Sequence, residues 1–307
     1  MFQAFEIGPF IFWTRLLFVL AGIILSTEFF LRLAHTANLS LQHFREKGML
    51  YVCAFLLGGR LSAILAEYQA YFKDPVRIFI FWDGGFNFLG GAIGIAAVLA
   101  WATRGHRSTF LQWLDALLPA TCLGLVFEWM GAFFSGHAYG RPTEVFWSVT
   151  YDAMNVRYSV PIHPVQLYFA VFYLLLTFLL LVIRKKAKRV GTETLAGIFC
   201  AAVATFFLEY FRGDIGILVF ATQIDILLLI ALFLSLGIFA AMGPRLSPKV
   251  VYIYEACLLL MAVAYVFLRP FLDLDTYELR FSQLLALMAL LGAGVYVLDH
   301  RRRFPYL

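Results

Sequence analysis

The chain has 307 residues, 62% of them hydrophobic and 14% charged. Soluble domains average about 45–50% apolar and about 25% charged residues, so the composition excludes a water-soluble fold and points to a polytopic membrane protein. The net charge of +5 does not signal a nucleic-acid partner, because Lys and Arg fall in short loops between apolar runs, where they set topology.

Nine apolar stretches follow one another, at roughly 10–33, 49–70, 86–103, 110–134, 163–184, 192–211, 217–241, 250–268 and 281–298. A helix needs about 20 mostly apolar residues to cross a bilayer. The short alternating segments of a barrel are absent from the sequence, so these stretches predict an all-α transmembrane helical bundle. The first run lacks a basic leading segment and a small-residue cleavage site, and it is expected to be a retained span. With the N-terminus outside, most of the Lys and Arg fall in inner loops, above all Arg184, Lys185, Lys186, Lys188 and Arg189. This predicts an N-out, C-in orientation. The four cysteines, Cys53, Cys122, Cys200 and Cys257, each lie inside an apolar run. They have neither disulfide nor metal-ligand spacing and read as inert thiols.

Two outer connections are more than linkers. Residues 71–85, YFKDPVRIFIFWDGG, read as a short amphipathic or re-entrant piece with Trp82 at headgroup depth. Residues 135–162 form the longest connection and are expected to fold as a small external cap.

Polar groups inside spans are costly and point to function. Arg60, Asp83, Glu128, His163, Gln166, Glu209 and Arg212 all fall in the outer halves of their predicted helices. That shared depth predicts a polar cavity open to the outer leaflet. Glu209 and Arg212 are spaced i, i+3 and share a helical face. They are either a structural ion pair or a site where Arg212 holds a phosphate and Glu209 orients it. WDGGFNFLGG at 82–91 opens the third span. Its glycines either serve packing or leave helix N-terminal N–H groups free for an anion, and Asp83 is a candidate N-cap. His163-Pro164 starts the fifth span. His163 and Gln166 share a face there, and His137 and Tyr139 stand just beyond the fourth span. None of these groups has metal-ligand spacing.

The order of the motifs resembles the prolipoprotein diacylglyceryl transferase family. The matching pieces are IGP at 7–9, LGGR at 57–60, WDGGFNFLGG at 82–91, LDALLP at 114–119, YGR at 139–141, HPVQLY at 163–168, EYFR at 209–212 and Gln223. The resemblance implies a seven-span enzyme of the bacterial cytoplasmic (inner) membrane. Such an enzyme moves the diacylglyceryl group of phosphatidylglycerol, or a similar phospholipid, to the cysteine thiol of a preprolipoprotein, without metal or cofactor. On that basis residues 1–245 form the transferase-like domain and 246–307 add about two further spans. The resemblance marks Arg212, Arg60, Arg141, Asp83, Gly84, Gly85, Gly90, Gly91, Gly140, His163, Gln166 and Tyr168 as phospholipid-binding and Glu209 as catalytic.

Several positions depart from the family pattern. Leu89 stands where a histidine is expected, Trp129 and Thr205 where arginines are, and Ala132 where an asparagine is. Phe169 stands for a glutamate, His137 for another, and Thr14 or Arg15 for a tyrosine. Glu128 and His137 are then the candidates to take over lost catalytic roles. Two readings stay open: a transferase with the ordinary or an altered acceptor, and an inactive paralogue that binds phospholipid or assists assembly.

Overall fold

A computed structural model describes residues 4–303 apart from 8–9, 67, 80–86, 105, 153–155, 188, 215, 217, 243–247 and 273–274. The chain forms two compact units, Met1–Ile215 and Gly216–Leu307.

The first unit opens with an antiparallel pair, β1 (Ala4–Ile7) and β2 (Phe10–Trp13), in the register Ala4 to Trp13. The helices follow: α1 (Thr14–Thr36), α2 (Gln42–Glu46), α3 (Gly48–Ala66), α4 (Tyr68–Lys73), α5 (Phe88–Ala102), α6 (Arg107–Ser135), α7 (Val165–Lys186) and α8 (Thr192–Leu208). The first apolar run therefore becomes helical only at Thr14. Residues 10–13 are aromatic or β-branched and find a strand partner, which overrides continuation of the helix. The segment after α4 makes one 3-10 turn, Pro75–Phe79. The rest of the expected re-entrant piece, including Trp82, lies outside the described residues.

Helix α7 shows what kind of protein this is. One stripe, Phe169, Ala170, Tyr173, Leu176, Thr177 and Leu180, is buried against its neighbours. The opposite stripe, Val171, Leu174, Leu175, Phe178, Leu179 and Val182, is exposed and just as apolar. A water-soluble helix would carry charge there. Five helical spans among the described residues, Thr14–Thr36, Gly48–Leu65, Ser108–Ser135, Val165–Lys186 and Thr192–Phe211, are long and apolar enough to cross a bilayer. The protein is a mostly helical integral membrane protein.

Without a hydrophobic drive between helices in lipid, close backbone approach carries the packing. Helix α5 lies so tightly on α3 that a Cβ on Gly90 would strike Ser62 and the Gly58 carbonyl, and one on Gly91 would sit 2.6 Å from the Phe55 ring. Phe30, Leu33, Tyr51, Leu99, Trp113 and Leu117 make one buried cluster. Phe88, Cys122, Leu125, Val165, Phe169, Tyr173, Leu176 and Leu180 make another. Asp115 of α6 reaches across to the start of α8, where its carboxylate accepts from Gly191 N (2.6 Å), Thr194 N (2.9 Å) and Thr194 Oγ1 (2.7 Å). The orphan donors of that helix end are thus satisfied from a neighbouring helix.

The second unit contains β3 (Leu218–Thr222), α9 (Gln223–Met242), α10 (Pro248–Leu268), β4 (Thr276–Arg280) and α11 (Phe281–Arg303). Strand β3 pairs antiparallel with β4, from Leu218 opposite Arg280 to Thr222 opposite Thr276. Helix α9 packs on α11. The stretch expected as one span from 217 is therefore a strand running into a helix. Asp225 accepts from Thr222 N (2.7 Å) at that junction and pairs with Arg269 at 3.1 Å.

Candidate functional site

Three backbone segments of the first unit are knitted together at the end of the bundle where α6 and α8 finish and α7 begins. The first leaves α6 through Gly136, whose φ of +71° ends the helix in the left-handed conformation glycine tolerates. Ala138 repeats that conformation at φ +53°, which an L side chain adopts only at a cost. The second segment is the return of the cap into α7. The third is the 3-10 turn Glu209–Phe211 that follows α8. Arg141 N donates to Phe211 O (2.8 Å), Gly213 N to Tyr139 O (2.9 Å) and His163 N to Arg141 O (3.0 Å). Gly140 sits so close to His163 that an added Cβ would lie 2.8 Å from that residue's Cβ. Residues 136–164 enclose a small core of Tyr139, Tyr151 and Ile162.

At the centre lies a charge cluster. Arg212 Nη1 donates to Glu209 Oε1 at 2.8 Å. Its Nε and Nη2 form a two-pronged bond to Asp214, at 3.0 Å to Oδ1 and 2.6 Å to Oδ2. Glu209 is 3% exposed. The Arg212 guanidinium also lies 6.0 Å from the centre of the Trp129 ring. Arg141 donates through Nε to the Arg212 carbonyl at 3.1 Å, so a second cation flanks the cluster. Asp214 escaped the sequence reading, which stopped at EYFR. The usable signal was an acidic residue two places after Arg212 and next to a glycine.

Around the cluster, hydrogen bonds fix the side chains. Gln166 is fully buried and donates to His137 O at 2.7 Å. The Ser135 hydroxyl donates back to the α6 carbonyls of Gly131 and Ala132. Its oxygen therefore accepts from His137 Nδ1 at 2.9 Å, which leaves His137 Nε2 as the basic nitrogen. Desolvation, then the charge of Arg15, holds His137 below the ordinary histidine value, although part of the ring is exposed. Tyr168 accepts the Trp147 indole N–H at 2.6 Å and faces His163 Nδ1 at 3.1 Å. Desolvation pushes His163 down as well.

The other candidates sit elsewhere. Arg60 is buried on α3, with its guanidinium over the Tyr71 ring at 5.2 Å and Nε donating to Ile78 O at 3.4 Å. Glu128 meets the Phe88 N–H and feels the charge of Arg15. Gly90 and Gly91 face α3. The N–H groups of Leu89 and Gly90 at the start of α5 are taken by the Asn87 side chain, at 2.9 and 3.3 Å. Asn87 is the N-cap of α5. Asp83, Gly84 and Gly85 lie outside the described residues.

The sequence model for prolipoprotein diacylglyceryl transferase matches residues 3–243. The chain belongs to that family. Curated relatives named phosphatidylglycerol--prolipoprotein diacylglyceryl transferase include one from Pseudoalteromonas atlantica, 34% identical over 51% of this chain and 56% of its own length. Another, from Polynucleobacter necessarius, is 33% identical over 52% of this chain and 61% of its own length. The chain thus spans less than two thirds of these two relatives. The one from Wolbachia pipientis is 29% identical over 78% of this chain and 93% of its own length. The family match ends at 243, so β3 and α9 fall within it, and α10, β4 and α11 beyond it.

Two departures from the family pattern are neighbours in space. Trp129 and Phe169 stand where the resemblance expects an arginine and a glutamate. Their rings stack with centroids 4.2 Å apart and planes 7° apart. Two positions where the resemblance expects charged side chains thus hold an aromatic pair.

Proposed function

We propose that this protein is a phospholipid-dependent diacylglyceryl transferase of the bacterial cytoplasmic membrane, with its site at the outer leaflet and its chain N-out and C-in. The donor is phosphatidylglycerol or a similar glycerophospholipid, and the acceptor is the cysteine thiol of a prolipoprotein. The observation that carries this reading is the buried Glu209–Arg212 pair stitched by backbone to Gly140, Arg141 and His163. These are five of the residues that the family motifs place together.

In the transfer, the thiol sulfur bonds to the glycerol carbon of the donor and the carbon–oxygen bond to phosphate breaks. The electron pair leaves on glycerol phosphate. The thiol proton needs an acceptor, and His137 Nε2 is neutral and available near pH 7. Arg212 and Arg141 stabilise the charge that develops on the departing phosphate. Glu209 orients the Arg212 guanidinium. His163, oriented through Tyr168 and Trp147, offers a further donor to the headgroup. Gln166 holds the turn that presents His137.

A second reading is a phospholipid-binding or assembly protein without turnover. The Trp129–Phe169 stack favours it, because an aromatic pair there cannot stabilise a developing anion. Expression of this chain in cells depleted of their own prolipoprotein diacylglyceryl transferase decides between the two. Restored lipoprotein maturation supports the transferase. Correct insertion without rescue, together with no transfer from labelled phosphatidylglycerol to a lipobox peptide, overturns it in favour of the binding role.

A further inference from the structure

The Arg212 guanidinium is occupied by carboxylates on both sides. One guanidinium meets two carboxylates, Glu209 and Asp214. Both prongs of its fork, Nε and Nη2, are engaged by Asp214. A phosphodiester presents two anionic oxygens in the same spacing as a carboxylate and takes the same fork. It cannot do so while Asp214 is there.

The two carboxylates are not equally placed to leave. The Glu209 side chain is 3% exposed, on the 3-10 turn that closes α8. The Asp214 side chain is 18% exposed. It follows Gly213, whose N–H donates to Tyr139 O at 2.9 Å. The more exposed Asp214 side chain is the one that can turn outward while Arg212 stays seated on Glu209.

We propose that Asp214 is a positioning residue that competes with the substrate. Its carboxylate fills the Arg212 fork in the unliganded protein, and the phosphodiester of an incoming phospholipid headgroup displaces it. This rests on the reading of Arg212 as the phosphate ligand. Asp214 thereby keeps a buried arginine hydrogen-bonded between turnovers. It also sets a threshold that an uncharged glycerolipid, lacking the phosphate, does not pass.

The test uses the full chain in detergent micelles with phosphatidylglycerol, and with diacylglycerol as the phosphate-free comparison. Asp214→Asn keeps the shape and weakens the competitor from a charged to a neutral hydrogen bond, so its affinity for phosphatidylglycerol rises about tenfold. A purely structural Asp214 would give equal or weaker binding, and that result overturns the proposal. A second measurement needs no variant. Carbodiimide-driven labelling of the Asp214 carboxyl in the wild-type protein rises several-fold with saturating phosphatidylglycerol and stays level with diacylglycerol. Labelling that ignores phosphatidylglycerol overturns the proposal even if Asp214→Asn fails to fold. Soluble glycerol phosphate, run alongside, separates clearance by the intact headgroup from clearance by the released product, and either response supports displacement. If the wild-type protein binds phosphatidylglycerol no better than diacylglycerol, the phosphate role of Arg212 falls and displacement falls with it. If it binds but Asp214→Asn shows no gain, displacement alone falls.

Discussion

The two ends of α8 hold buried carboxylates in opposite ways. Where α8 begins, Asp115 accepts from neutral donors: two backbone N–H groups and the Thr194 hydroxyl. An anion at a helix N-terminus also complements the helix dipole. Where α8 finishes, a cation stands at the end that favours cations, but Arg212 is shared between Glu209 and Asp214. Three donors fill the Asp115 carboxylate, and Glu193 beside it pairs with Arg184 at 3.7 Å. The second end fills with a carboxylate a fork that matches a phosphate. The comparison teaches that burial of charge does not separate structure from function. The kind of partner does.

Mutations at the two ends sharpen that contrast. The largest effect is expected from Arg212→Ala, which strips the fork and leaves Glu209 buried without its cation. Transfer from labelled phosphatidylglycerol falls by about 100-fold or more, with about 3–5 kcal/mol lost in stability. Arg212→Lys keeps the charge without the fork, so it recovers stability in thermal unfolding but not transfer. If lysine restores both, the planar fork is not what matters.

Asp115→Ala is next. It leaves the start of α8 uncapped and costs about 2 kcal/mol, read as a lower unfolding midpoint in detergent. Phosphatidylglycerol affinity of the protein that remains folded is unchanged. A selective loss of lipid binding by Asp115→Ala would erase the distinction between the two ends.

His137→Gln tests the proton acceptor. Because His137 is held below the ordinary value of about 6.5, its neutral form persists as pH falls from 7 to 6.5. The acid midpoint of the transfer rate therefore lies below about 6.5. The glutamine variant is about 100-fold slower and loses that acid limb. A wild-type acid midpoint well above about 6.5 would place the base elsewhere.

The smallest effect belongs to Ala138→Gly. It relieves the left-handed backbone at φ +53° and raises stability by about 1 kcal/mol. A drop in transfer alongside that gain would mean that the strained turn helps to aim His137.

Much of this protein is written in its sequence. An apolar content of 62% dictates helices in a membrane, since only they satisfy the backbone there without strand partners closed into a barrel. The i, i+3 spacing of Glu209 and Arg212 predicted their pairing, which is local. The motif order led to the family. What stayed hidden depends on residues distant in the chain. Residues 218–222 read as the start of a span because their strand partner, Thr276–Arg280, comes more than 50 residues later. The glycines of WDGGFNFLGG offered either an anion seat or packing. Only the approach of α3 assigned Gly90 and Gly91 to packing, and only the Asn87 cap showed that the N–H groups of Leu89 and Gly90 were taken. Trp129 and Phe169 read as two separate losses, and tertiary contact alone made them one stacked replacement. Composition and periodicity decide which residues meet lipid, because those depend on one helix at a time. Which polar groups share a proton or a charge depends on distances between helices, and these are fixed only when the backbones pack.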